Sequence, residues 1–373
     1  MRIGFDAKRA FSNFSGLGNY SRLIISALSD YYPDNQYYLY IPHSWKQNAI
    51  QLHTNQYLRF PDNWISSSFH QFWRSYLLAS KLASDRIELY HGLSNELPFR
   101  SGNKKVKKIV TIHDLIFLRF PHWYPVLDRK IYQKKSRYSC QQADRIIAIS
   151  RQTKSDIIEF YRIDEEKIDV VYQSCDPIFS EILEKKEKKS VLAKYELPSQ
   201  YMLYVGTIEE RKNLLGLITA IEIGSIDIPL VVVGRPTSYA NKVKSYIARK
   251  SIENILFLDQ VPSRDLPALY QKAMLFIYPS NFEGFGLPIL EAMNSGTPVI
   301  TSKGSCFSEA GGKHTLYVDP SNIDELSDAI DRVLSDSSLR KKMVEKGLKH
   351  ASKFNREAMA HNLMKVYEKT LNG

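Results

Sequence analysis

Short apolar runs alternate with longer amphipathic stretches along the first half of the chain. "RIGFDA" is followed by the helix-like "GNYSRLIISALSDYY" and then by the strand pattern "YYLYIP". "IELYHG", "KKIVTIHD", "DRIIAIS" and "IDVVYQ" follow, again separated by amphipathic segments. Such alternation predicts βαβ units, hence a parallel sheet with helices on both faces. The tract "SEILEKKEKKSVLAKYELPS" is charged, poor in β-branched residues and carries a proline near its end, so it reads as a connection. The pattern then restarts with "YMLYVGT", "PLVVVG", "NILFLDQV", "MLFIYPS", "PVITS" and "TLYVDP" as strands, with helical periodicity between most of them. Two C-terminal helical stretches close it, the first with an internal break and the second being "NREAMAHNLMKVYEKTL". The expectation is two doubly wound α/β domains. Ligands of such sheets sit at the carboxyl ends of the strands. With two domains, those ends are expected to face each other across a cleft.

Composition adds limits to this picture. A chain of 373 residues exceeds one comfortable core, in keeping with two domains. No apolar run reaches membrane-spanning length, and the start "MRIGFDAK" lacks the apolar stretch of a signal peptide. Three cysteines, Cys140, Cys175 and Cys306, are odd in number and far apart, which points to a reducing, cytoplasmic setting without a metal cluster. The net charge of +11 is concentrated, because residues 101–160 hold thirteen Lys and Arg against five Asp and Glu. Within that tract Lys130, Lys134 and Arg137 recur at helical spacing, just after "FPHWYPVL". Basic residues beside aromatics suit an anionic membrane surface, nucleic acid or a plain solvated helix face. No zinc-finger spacing or RNA-binding aromatic motif supports nucleic acid. A membrane surface therefore ranks above it, with peripheral attachment at the inner face of the membrane.

The candidate chemistry collects after the strands. In "NFEGFGLPILEAMNSGTPVI", Glu283 falls in a glycine-broken turn after a strand, and Pro288 suits the first turn of the next helix. Glu291 is expected in that first turn. Gly284 and Gly286 allow backbone to approach a ligand, and a helix start favours an anion. After "YMLYVG" comes "TIEERKN", with Arg211 and Lys212 at a second helix start. After "KKIVTI" come His113 and Asp114, and after the first strand comes "SGLG" with Gly16 and Gly18. Taken singly, each has a bland reading: a solvated helix end, a structural cap, an ordinary turn. Together, two cations, helix N-termini, a histidine and two carboxylates suit a diphosphate leaving group attached to a sugar.

These motifs resemble those of glycosyltransferase family 4, retaining enzymes of the two-Rossmann GT-B architecture. "EGFGLPILE" is similar to its Glu-x7-Glu motif, "GTIEERKN" to its diphosphate-binding segment and "TIHD" to its histidine motif. "SGLGNYSR" resembles its N-terminal glycine loop, with Ser15 and Gly16 where many members show two glycines. The similarity extends over essentially the entire chain. It implies an acceptor-binding domain over 1–180, a linker over 181–199, a nucleotide-sugar domain over 200–354 and a helix over 355–373 that returns to the first domain. It also implies roles. Glu283 would hold donor-sugar hydroxyls, and the N–H groups of Phe285, Gly286 and Leu287 would meet sugar and phosphate. Glu291 would bind the ribose, Arg211 and Lys212 the diphosphate, and Gly16 would let its loop approach that diphosphate. His113 would lie near the anomeric carbon and the 6-hydroxyl, and backbone at Val261 would contact the base.

The opening looks nearest to bacterial enzymes that use GDP-mannose in building surface polysaccharides. The resulting expectation is a metal-independent, retaining hexosyltransferase with no cofactor beyond its nucleotide-sugar co-substrate, acting on a glycan or lipid-linked acceptor. The same architecture serves sugar-nucleotide epimerases, phosphorylases and non-catalytic nucleotide-sugar binders. The Arg-Lys segment and the Glu-x7-Glu pair argue against the first two, and the set Glu283, His113, Arg211 and Lys212 against the third.

Overall fold

The computed structural model describes residues 1–13, 16–42, 52–61, 78–99 and 106–373. The chain divides into two units, Met1–Ser174 together with Arg356–Gly373, and Cys175–Asn355. The first holds a seven-stranded sheet of order β3-β2-β1-β4-β5-β6-β7. Its strands are β1 (Arg2–Asp6), β2 (Gln36–Tyr40), β3 (Gln56–Arg59), β4 (Leu89–Gly92), β5 (Lys107–Ile112), β6 (Arg145–Ala148) and β7 (Ile168–Val170). Every pairing is parallel, with Ile3 beside Tyr37 on one side and Leu89 on the other. The second unit holds a six-stranded parallel sheet of order β10-β9-β8-β11-β12-β13. These strands are β8 (Met202–Val205), β9 (Leu230–Val233), β10 (Ile255–Leu258), β11 (Leu275–Tyr278), β12 (Val299–Ser302) and β13 (Leu316–Val318).

Both sheets reverse their winding once, between β1 and β4 and between β8 and β11. At such a switch the flanking loops run to opposite faces and leave a crevice at the carboxyl ends of the strands. Central strands buried on both faces explain the unbroken apolar runs, such as Leu275–Tyr278 with all four residues buried.

The edge strand β3 does not stand out in the sequence. It is only "QYLR", with no apolar alternation, and its place comes from pairing with β2. The tract expected as a linker carries a ten-residue helix, Lys185–Lys194, closed at its start by a capping box between Glu184 and Glu187. The internal break near the C-terminus falls at Asp336, whose side chain accepts from the N–H groups of Ser338 and Leu339 and so starts a new helix.

The helix Arg356–Asn372 belongs to the first unit. It buries Met359, Ala360, Leu363, Met364, Val366 and Tyr367. Polar bonds fix its rotation: Arg356 reaches Ser26 Oγ and Asp30, and Tyr32 meets His361 at 3.0 Å. Tyr367 Oη lies 2.7 Å from Nδ1 of the fully buried His91.

Candidate functional site

The second sheet's switch point gathers the charged residues. Arg211 and Lys212 end a 3-10 turn, Glu210–Lys212, in the loop that leaves β8. Glu283 lies in the loop that leaves β11. Arg211 Nη1 is 2.7 Å from Glu283 Oε2, and Lys212 Nζ is 3.2 Å from Oε1. Glu209 takes the other guanidinium nitrogen at 2.6 Å. Two cations and two carboxylates thus close on one another, with Glu283, Arg211 and Lys212 each 15% exposed or less. Burial pushes the Glu283 carboxyl up, but Lys212, Arg211 and a hydrogen bond from Tyr278 outweigh it and hold the pKa at about 2. Burial also opposes the charge of Arg211, and Glu283 and Glu209 more than restore it. Glu283 is therefore ionised at every physiological pH. An anion that takes over the two cations would leave its oxygens to accept from hydroxyl groups.

Backbone geometry prepares both loops. Gly206 directly follows β8 with the Lys212 stem over it, where an added Cβ would stand 3.1 Å from Cδ. At Gly234 a Cβ would fall 1.9 Å from the Gly206 carbonyl oxygen, so the loops after β8 and β9 touch at two glycines. Gly286 has φ +115° immediately before the helix Leu287–Asn294, a conformation that other residues rarely adopt. Cys306 Sγ lies 2.8 Å from the carbonyl of Phe285, and Ser305 Oγ donates to that of Glu283 at 3.1 Å. With those carbonyls turned inward, the trans peptide directs the N–H of Gly286 the opposite way. The first turn of a helix leaves its own N–H groups without intrahelical partners, Leu287 among them.

Glu291 departs from expectation in position. The helix starts at Leu287 with Pro288 second, which puts Glu291 in the second turn rather than the first. Its Oε2 accepts from Tyr270 Oη at 2.9 Å. Burial raises its pKa to about 7, Tyr270 opposing and Asp176 reinforcing the shift. Val261 is half-buried between β10 and the turn Ser263–Asp265.

In the first unit His113 follows β5, beside the β1/β4 switch. Its Nε2 is 2.8 Å from the Leu93 carbonyl, an acceptor only, so Nε2 carries the proton and Nδ1 the lone pair. Its backbone N–H donates to Asn95 Oδ1, and the Tyr20 ring stands edge-on at 4.6 Å. Burial lowers the His113 pKa to about 4, so the imidazole is neutral near pH 7. Asp114 plays the structural part, accepting from the N–H of Ile116. Gly16 opens the helix Gly16–Tyr31, and among the described residues a Cβ there would meet nothing within 4 Å. Gly18 is the sterically required glycine, since its Cβ would fall 1.7 Å from the Asn13 carbonyl oxygen. Ser15 lies outside the described residues.

Lys130, Lys134 and Arg137 are exposed on the helix Val126–Gln142, whose opposite face buries Ser136, Ser139 and Cys140. With Phe99 and Tyr138 they line a shallow groove. Val126, Leu127, Ile131 and Tyr132 of the same helix are also exposed, Leu127 to 70%. Trp123, just upstream, stacks on Phe120 at 4.5 Å. Of the surrounding basic tract, residues 101–105 lie outside the described set. Among the described residues no group of three or more His, Cys, Asp or Glu comes together to hold a metal ion. No described helix is long and apolar enough to cross a membrane.

Sequence reasoning missed Tyr278, Ser280, Ser305 and Cys306, which hold Glu283 and its loop. Ser280 carried a usable signal, a hydroxyl just past the end of β11 and close ahead of Glu283, whereas Tyr278 reads as part of the apolar strand. Ser305 and Cys306 reach the loop only through tertiary structure.

Comparison with known proteins gives the family and the fold. Residues 24–178 match the Glycosyltransferase Family 4 model and residues 184–350 match Glycosyl transferases group 1. The chain is 34% identical over 289 residues to O-antigen chain mannosyltransferase B of Escherichia coli, covering 75% of this chain and 74% of that protein. It is 31% identical over 256 residues to O-antigen chain mannosyltransferase RfbU of Salmonella typhimurium, covering 62% and 68%. Among solved structures, a sucrose-phosphate synthase from Thermosynechococcus elongatus superposes with a TM-score of 0.79 at 18% identity, over 99% of this chain and 98% of that one. Anabaena HepE, in complex with UDP and glucose, gives 0.75 at 17% identity, over 99% and 100%. The chain has the GT-B fold of two Rossmann-like domains and belongs to the family 4 glycosyltransferases.

Proposed function

We propose that this glycosyltransferase moves mannose from GDP-mannose, with retention, to a glycan or lipid-linked acceptor in surface-polysaccharide synthesis. The observation that carries the reading is the cluster of Arg211, Lys212 and Glu283 at the β8/β11 switch. The two relatives named as mannosyltransferases support the choice of sugar. The diphosphate takes the two cations, with the N–H groups at Gly286 and Leu287 beside it, and Glu291 holds the ribose. Glu283 then accepts from the sugar hydroxyls, and neutral His113 offers Nδ1 to the 6-hydroxyl. Backbone at Val261 meets the base, and Gly16 leaves room for phosphate.

The bond from the anomeric carbon to the phosphate oxygen breaks while one to the acceptor oxygen forms on the same face. The acceptor's proton passes to the departing phosphate. Arg211 and Lys212 stabilise the charge that develops there, so this chain's own cations do the work without a metal ion. A panel of GDP-, UDP- and ADP-sugars tests the donor. GDP-mannose should raise the melting temperature most and be the sugar turned over. Turnover of a UDP-sugar with GDP-mannose ignored would overturn the choice of donor while leaving the transferase standing.

The exposed face of Val126–Gln142 suits an acceptor delivered at the inner surface of a membrane. Leu127 and Ile131 would enter the headgroup region while Lys130, Lys134 and Arg137 meet anionic lipids, each contributing about 1 kcal/mol. The protein should float with anionic liposomes at low salt, and a triple Lys130→Glu, Lys134→Glu, Arg137→Glu variant should not. Its donor hydrolysis in solution should be unchanged. Failure of the wild type to bind such liposomes would mark this face as merely solvated.

A further inference from the structure

Tyr278 ends β11 and is almost completely buried. Its ring stacks on Phe276 at 6.0 Å and meets the Phe307 ring edge-on at 6.5 Å, and its carbonyl accepts from Thr301 Oγ1. A ring so packed puts its hydroxyl at one fixed point. That point lies 2.7 Å from Glu283 Oε1 and 2.7 Å from Lys212 Nζ. The phenol has one proton, and the ionised Glu283 can only accept, so Tyr278 donates to Glu283 and accepts from Lys212. Burial and the nearby charge of Glu283 raise its pKa well above the ordinary value, so the proton stays in place. Nothing in the strand itself calls for a hydroxyl here, since an apolar side chain would satisfy a buried parallel strand.

We propose that Tyr278 is a positioning residue for glycosyl transfer, its hydroxyl setting the Glu283 carboxylate and the Lys212 ammonium in register with each other. The proposal rests on the roles given above to Glu283 and Lys212. The loops after β8 and β11 meet at these groups, so one oxygen sets the distance between the group that would hold sugar and the group that would hold phosphate. Tyr204, on neighbouring β8, supplies the natural control. It is equally buried, yet among the described residues its hydroxyl has no hydrogen-bond partner.

The test measures GDP-mannose hydrolysis by the full chain, which needs no acceptor. Tyr278→Phe should slow turnover about tenfold, the worth of one hydrogen bond to a charged group, and Tyr204→Phe should leave it unchanged. Glu283→Gln alone should slow it about a hundredfold, and adding Tyr278→Phe to it should cost less than about twofold more. Wild-type turnover by Tyr278→Phe, with Glu283→Gln impaired, would overturn the positioning role alone. An equal loss from Tyr278→Phe in both backgrounds, or from Tyr204→Phe, would show a structural effect and also overturn it. Full activity in Glu283→Gln would sink the reading of the site, and the positioning role with it.

Discussion

Glu283 and Lys212 share one hydrogen-bonded cluster, and removing either should stop transfer without unfolding the chain. Arg211 keeps Glu209, and Tyr278 keeps one of its two partners in either variant. Glu283→Ala and Lys212→Ala should each lose about a hundredfold in rate, on the order of 3 kcal/mol, with circular dichroism unchanged. Near-normal turnover by either variant removes that residue from the mechanism. Glu291 makes a different statement. Its carboxyl keeps the proton to about pH 7 when folded, against an ordinary value of 4.5. Between those values the folded state binds more protons than the unfolded one, so stability falls as pH rises through the window. Between pH 5 and 8 the wild type should lose on the order of 2 kcal/mol more than Glu291→Gln in denaturant melts. Parallel curves would show that Glu291 ionises normally. The charged residues of the site were legible because charge at a strand end is conspicuous in sequence. Tyr278 was not, because within "MLFIYPS" an aromatic reads as one more core residue.

At the scale of elements, two glycines in one turn separate structure from chemistry. A methyl group at Gly18 would collide with the Asn13 carbonyl oxygen, whereas one at Gly16 meets nothing within 4 Å among the described residues. Gly18→Ala should therefore lower the melting temperature, at a cost on the order of 2 kcal/mol. Gly16→Ala should keep it and weaken donor binding instead, if phosphate uses that space. Equal melting behaviour in the two variants would contradict this account. Long elements with strong periodicity were readable from the chain, Gly16–Tyr31 and the central strands among them. The four-residue β3 was not, since its order comes from β2. The helix Lys185–Lys194 was hidden by its charge, with Leu192 its only buried residue. Glu291 was placed one turn too early because the helix starts at Leu287, one residue before Pro288, which carries Glu291 past the first turn.

At the scale of the molecule, two parallel sheets followed from the restart of the alternating pattern, and their switch points from strand order alone. The apolar stripe of the terminal helix fits either sheet, so its return to the first unit was legible only through the family resemblance. Here the choice rests on particular contacts, Tyr367 with His91 and Arg356 with Ser26. That choice bears on the order of events during synthesis. The first sheet emerges from the ribosome early, but the helix that covers part of it follows only after all of Cys175–Asn355. Until then His91 lacks its tyrosine, and the surface that meets Leu363 and Met364 stays bare. Nascent chains halted before Arg356 should therefore carry a folded second unit and a first unit open to protease, while chains extended past Asn372 resist at both. Equal resistance of the two units in the halted chain would mean that the first sheet closes without its helix. A protein arranged in this way completes its earliest-made part last.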